Sequence, residues 1–372
     1  FPDPFAIVPA AHLVMLLHPR PDRVLAVGCL ADGAVATMAR HPAQDLTVVE
    51  DDPQLAPLLR RWYGPAIGQA LSDPAVRLLA TDPLRALAAR DRWDLIVLRD
   101  GNPNTVRHNR TRTLQFFEGC RSRLADDGVV VVRLEVSDTY LGGSAGRLVE
   151  VMTSTLRRVF PRIVAVPGEN VLLVAGGERA DLTADPAVLR QRWGERDISD
   201  PIFVPEVLDL LVDPHRAAEL QAFVDAADAP ANTIDRPRAI LLAAGLTEAR
   251  ARSSLLLVSR DLEGRRPTPL ALAVAAIAAA AGALSLHRKT SGTAAAAVIG
   301  ACSMGWWLIL MAAWQSTLGS VYAEVGALTA AFMAGLAGGS IWAGRSPTPA
   351  PRLPLLLLAG AALSGALAAG AA

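Results

Sequence analysis

The sequence predicts an α/β protein: a doubly wound, Rossmann-like and mostly parallel sheet, followed by a transmembrane α-helical region. Three observations predict it. Between residues 23 and 176, short runs rich in Val, Ile and Leu alternate with amphipathic stretches, the pattern of a parallel sheet covered by helices on both faces. The first run, "RVLAVG", passes through the turn "GCLADGA" into a helix-like stretch, which is how a nucleotide-binding fold opens. Charge then thins out: residues 267–372 hold four basic residues and one acidic one, against 32 and 35 in residues 1–266.

The strands read in order as "RVLAVG" (23–28), "LTVVE" (46–50), "VRLLATD" (76–82), "WDLIVL" (93–98), "GVVVVRLE" (128–135), "RIVAVP" (162–167) and "VLLVAG" (171–176). Near-continuous apolar runs of this kind are buried on both faces. Helices between them start near Ala34, Gln54, Pro83, Thr113 and Gly146. In "TLQFFEGCRSRL" the helical period puts Leu114, Phe117 and Cys120 on one face and Glu118, Arg121 and Arg123 off it. Residues 1–180 form the nucleotide-binding-type domain. Residues 181–266 read as a mainly helical extension and linker, with loops at "DISDPIFVP" and "DAPANTIDRPR".

Residues 267–372 contain apolar runs at Leu270–Leu286, Thr293–Leu318, Val321–Trp342 and Leu353–Ala372, each near the roughly 20 residues that span a bilayer. Small residues in "FMAGLAGGS" suit close helix packing. The alternative of an Ala-rich soluble bundle would need a polar stripe, which these runs lack. The expectation is a multi-pass protein of the cell membrane with its soluble domain cytoplasmic, although the basic residues flanking the runs give a mixed vote on orientation. The chain opens on Phe1 and closes inside an apolar run, as a piece of a longer protein would. Formal net charge is zero, 52% of residues are hydrophobic and mean hydropathy is +0.31. That balance gives no case for nucleic-acid binding, which needs a basic face. Cys29, Cys120 and Cys302 have no metal-ligand spacing and read as free thiols, and no metal is expected.

In this fold class a ligand sits at the carboxyl ends of the strands. Gly28 and Gly33 let backbone approach a ligand, with Asp32 between them. Glu50 lies about 20 residues beyond the first glycine, where a carboxylate grips a ribose diol, and Asp51 follows it. Asp51 and Asp52 also suit capping of the helix at Gln54. Asp82 either accepts from an adenine amino group or caps the helix at Pro83. The fourth strand end, "LIVLRDGNPN", offers Asp100 as a general base toward an amine, or an ordinary Asn-Pro turn.

The segments "HLVMLLHPRPDRVLAVG", "TVVEDDPQLAPLLRRWYG", "LSDPAVRLLATDPLRAL", "LADDGVVVV" and "NTIDRP" together resemble the polyamine aminopropyltransferases, the spermidine synthase family, whose sheet is of the class I methyltransferase type. "WQSTLGSVYAEVGALTAAFMAGLAGGS" resembles the helices of bacterial proteins that fuse this domain to a transporter-like part. The resemblance covers roughly residues 9–345. It implies aminopropyl transfer from decarboxylated S-adenosylmethionine to a polyamine such as putrescine, releasing methylthioadenosine. Glu50 would hold the ribose, Asp82 the adenine and the Gly28–Gly33 loop the donor's amino-acid-derived end. Four positions depart from the family. Ala6, Ile7 and Val8 stand where it has Tyr-His-Glu, and Arg99 stands where it has its general base. A guanidinium takes no proton from an ammonium and repels a cationic acceptor. Asp100 is the neighbouring carboxylate, turned to the other face by one residue of strand. Two further readings stay open: a catalytically silent nucleoside-binding domain that regulates its attached helices, and an S-adenosylmethionine-dependent methyltransferase. The implied partners are a nucleoside, a polyamine and the lipid bilayer, with a homo-oligomer left open.

Overall fold

The computed structural model describes residues 3–62, 65–88, 92–251, 307, 311 and 322–345. Seven strands form one sheet: β1 (Arg23–Val27), β2 (Asp45–Glu50), β3 (Val76–Ala80), β4 (Trp93–Leu98), β5 (Leu124–Leu134), β6 (Arg162–Val166) and β7 (Val171–Gly176). They lie in the order β3-β2-β1-β4-β5-β7-β6. The first five pair in parallel, with Val24 beside Leu46 on one side and Leu95 on the other. The mostly parallel expectation needs one correction: β7 runs antiparallel between β5 and β6. Only four residues link β6 to β7, too few for a parallel crossover.

Side chains alternate along each strand between two cores. Val24, Ala26, Leu95, Val97, Val129 and Val131 enter one. Leu25, Val27, Ile96, Leu98, Val130 and Val132 enter the other. The first core lies under α1 (Pro4–Leu16), α2 (Ala34–Met38), α9 (Pro186–Gly194) and α10 (Val207–Leu211). The second lies under α5 (Pro83–Ala88), α7 (Leu114–Arg123), α8 (Gly143–Arg157), α11 (Pro214–Asp225) and α12 (Arg238–Ala251). Three short or peripheral helices complete this part: α3 (Leu55–Trp62), α4 (Pro65–Ala70) and α6 (Val106–Arg110). Expected helix starts fall within three residues of the observed ones, and Phe116, Phe117 and Cys120 form the buried face of α7. Cys29 and Cys120 are free buried thiols, and burial pushes Cys29 up to about 12.

Helix α1 has no counterpart among the expected elements. Its carboxyl end is closed from far along the chain. Arg192 donates to the Leu16 carbonyl at 2.9 Å, and Arg196 donates to Met15 and His18 at 3.0 and 2.6 Å. Beside them runs a buried chain of hydrogen bonds. Arg196 has only donors, so His41 accepts on Nδ1 at 2.7 Å. His41 then donates from Nε2 to His12 Nδ1 at 2.9 Å, and His12 donates to Asp200 at 3.3 Å.

The chain divides into two compact units, Phe1–Val321 and Tyr322–Ala372. Within the second, α13 (Tyr322–Arg345) coincides with the third apolar run. Among the described residues no helix is long and apolar enough to cross a membrane. The other three runs lie outside the described residues, apart from 307 and 311.

Candidate functional site

A cavity of about 260 Å³ opens at the carboxyl ends of β1, β2 and β4. Gly28, Glu50, Asp51, Asp82 and Asp100 line it, together with Ala31 from the first turn. Sequence reasoning thus brought five of its seven site residues to one place. Asp32 and Gly33 sit just behind Ala31 and do not line the cavity. Gly33 takes φ +80° at the start of α2. Ala6, Ile7 and Val8 belong to α1 and are not among the lining residues.

Gly28 has a structural task as well as its place in the cavity lining. At φ +72° a Cβ there would lie 2.5 Å from the Asp100 Cα. The backbone it admits is that of the β4 end, whose Arg99 amide donates to Val27 at 2.9 Å. This close approach sets the first turn against the fourth strand end.

Arg99 and Asp100 then diverge as alternation requires. Arg99 follows Leu95 and Val97 onto the α1–α2 side and donates to Asp32 at 2.5 Å. Burial is the largest influence and opposes its charge, but Asp32, Cys29 and Glu135 together outweigh it and raise its pKa. Asp100 follows Ile96 and Leu98 onto the other side. It accepts from the Thr111 hydroxyl at 2.7 Å and pairs with Arg112 at 2.8 Å. Its Oδ2 is thus engaged, while Oδ1 lies beside the Arg112 guanidinium, buried and without a hydrogen bond.

Arg112 belongs to a set that sequence reasoning missed. The turn "VRHNRTR" (106–112) carries three arginines, of which Arg107 and Arg110 line the cavity and Arg112 is buried beside it. Arg107 pairs with Asp51, Arg110 with Asp82 and Arg112 with Asp100. Its one available signal was the density of arginine just after the fourth strand. Thr105 caps α6 by accepting from His108 at 3.1 Å. Asn232 of "NTIDRP" locks the turn from below, donating at 2.8 Å to both Asn109 Oδ1 and the Arg112 carbonyl.

The capping roles among these carboxylates are visible. Asp52, not Asp51, accepts from the Gln54 amide, at 2.9 Å. Asp82 accepts from Leu84 at 2.9 Å and so caps α5 while also lining the cavity. Glu50 differs from the rest. It accepts from the Asp52 amide at 3.2 Å and has no ion pair among the described residues. Burial raises its pKa, against the Asp52 amide and Arg107, which lower it. Three arginines and four carboxylates line the cavity, and burial keeps His108 neutral. Among the described residues no group of three or more His, Cys, Asp or Glu could hold a metal ion.

With this geometry in place, the comparison with known proteins is decisive for the first part of the chain. Residues 9–166 match the model of the spermine/spermidine synthase domain. This segment is a spermidine synthase-like domain, related to the aminopropyltransferases by distant homology. The polyamine aminopropyltransferase of Thermoanaerobacter sp. (strain X514) is 23% identical over 178 residues, covering 46% of this chain and 62% of that protein. The Agathobacter rectalis enzyme of that name is 29% identical over 123 residues, covering 32% and 42%. That of Bacillus subtilis is 27% identical over 127 residues, covering 34% and 45%. The chain therefore spans less than two thirds of the length of these relatives. Among solved structures, a spermidine synthase in complex with the transition-state analogue AdoDATO aligns with a TM-score of 0.47 at 18% identity, covering 60% of this chain and 76% of its own. Human methyltransferase-like protein 13, in complex with SAH, aligns at 0.39 and 18%, covering 52% and 94%.

Proposed function

We propose that the synthase-like domain binds an adenine nucleoside and no longer transfers an aminopropyl group to a polyamine at an enzymatic rate. The observation that carries the reading is the pairing of Arg99 with Asp32 where the family has its general base. A positioned base is typically worth 10²–10⁴-fold. An arginine about 5 Å from an ammonium adds repulsion of about 3 kcal/mol at an effective dielectric constant near 20. Polyamines are polycations, and the decarboxylated donor carries both an ammonium and a sulfonium. The cavity's arginines offset most of the acidity such ligands would need. Glu50 remains available for a ribose diol, and methylthioadenosine, which is uncharged, suits so balanced a cavity.

Two assays test this on the full chain. Methylthioadenosine is expected to bind in calorimetric titration, and Glu50→Ala to weaken it by about 1–3 kcal/mol, the scale for a hydrogen bond to a charged group. Product chromatography with the decarboxylated donor and putrescine is expected to find no spermidine from the unaltered chain and a first trace from Arg99→Asp. Robust spermidine formation by the unaltered chain would overturn the silent reading in favour of an active aminopropyltransferase, the alternative that the match over residues 9–166 supports.

We also propose that residues 267–372 hold the protein at a cell membrane, with the synthase-like domain on the cytoplasmic face. The support is their scarcity of charge and their four apolar runs. Such attachment would survive high salt and alkali, because buried apolar spans owe nothing to screened charge. Recovery of the full chain in the aqueous fraction without detergent would refute it.

A further inference from the structure

We propose that the Arg99–Asp32 pair is a subsite for the zwitterionic end of an α-amino acid carried by the adenine nucleoside, an inference that rests on the nucleoside reading above. Arg99 is 5% exposed and lines the cavity. Its Nη2 donates to Asp32, while its Nε and Nη1 are buried without a hydrogen-bond partner. A guanidinium donates along two edges, Nε with Nη2 and Nη1 with Nη2, so an entering carboxylate meets one idle donor together with the Nη2 that Asp32 holds. Idle buried donors are unfavourable, and an entering carboxylate removes that penalty. Asp32, just outside the cavity lining, is the complementary half. One of its oxygens accepts from Ala34 at 3.0 Å, the other takes Arg99, and 28% of its side chain stays exposed.

An α-amino acid presents an ammonium and a carboxylate on one carbon. It can exchange with an adjacent acid–arginine pair, ammonium to Asp32 and carboxylate to Arg99, leaving every charge matched. A bare amine in the same place would face Arg99 unopposed, and an uncharged end would leave both groups as they are. The placement also fits. β1 and β2 are neighbours, with the Gly28 amide 3.5 Å from the Val49 carbonyl. Glu50 at the end of β2 and residues 28–32 beyond β1 therefore lie on adjacent strand ends.

The test is calorimetric titration of the full chain with three thioether probes: S-adenosylhomocysteine, methylthioadenosine, and the decarboxylated amine analogue of the first. The first is expected to bind at least tenfold more tightly than the second, and the third no more tightly than the second. Arg99→Met and Asp32→Asn are each expected to bring the ratio of the first two near one. Circular dichroism checks that each variant folds, and the ranking in the unaltered chain needs no variant at all. Equal affinity for the first two probes, or tightest binding of the amine, overturns the subsite and leaves the nucleoside reading standing. Failure of all three to bind overturns both.

Discussion

Gly28 couples the cavity to the sheet through a single missing methyl group. Its φ of +72° already disfavours any side chain, and the Asp100 backbone fills the place where one would go. Gly28→Ala is therefore expected to destabilise the protein by about 2–4 kcal/mol, from left-handed strain plus a forced shift of the β4 end. Urea unfolding measures this, and a loss below about 1 kcal/mol would show that the two strand ends separate freely. The divergence of Arg99 and Asp100 was legible in the sequence, because a strand's period of two fixes opposite faces once Trp93–Leu98 is read as β4. What Asp100 does there was not legible. Its partners, Thr111 and Arg112, come from a turn whose register no periodicity records.

At the scale of elements, the strands were easiest to read because each is a continuous apolar run walled in by two cores. The turn after β6 held a signal that went unused, since a four-residue link fixes an antiparallel partner. The arginine turn at 106–112 was hidden for another reason. Arg107, Arg110 and Arg99 meet their acids across 56, 28 and 67 residues of sequence. Pairs at such separations leave no local trace. Asn232 makes the turn cohere: it is fully buried, and its side chain joins Asn109, Arg112 and the Ala239 amide. Asn232→Ala would strand those three groups, each worth roughly 1 kcal/mol or more when unsatisfied. A stability loss of about 2–4 kcal/mol is expected by urea unfolding, with weaker methylthioadenosine binding as the turn loosens. Unchanged stability would mean that the turn holds its shape without this clamp.

For the whole molecule, buried histidines set the response to acid. Burial lowers the pKa of His12 and His18, and burial with Arg196 nearby brings His41 down to about 2. These groups stay neutral in the fold, while an unfolded chain protonates them near 6.5. Below that pH the unfolded state binds more protons, so stability falls as acid is added. His41 alone contributes a loss of about 2 kcal/mol at pH 5. Glu50, raised by burial, works in the opposite direction as pH falls through its raised pKa toward the unfolded value. Urea midpoints at pH 7.5, 6 and 5 are expected to decline steadily, and His41→Asn to flatten the decline; a midpoint that rises toward pH 5 would contradict the assignment. The arginine closure of α1 bears on a different question, that of birth at the ribosome. The carbonyls of Met15, Leu16 and His18 wait for donors at Arg192 and Arg196. At translation speeds of roughly 5–20 residues per second, about ten seconds or more separate the emergence of the first helix from that of its cap. Throughout that interval the α1 face of β1 has no finished cover, so the nascent chain is most open to misassociation before residue 196 leaves the exit tunnel.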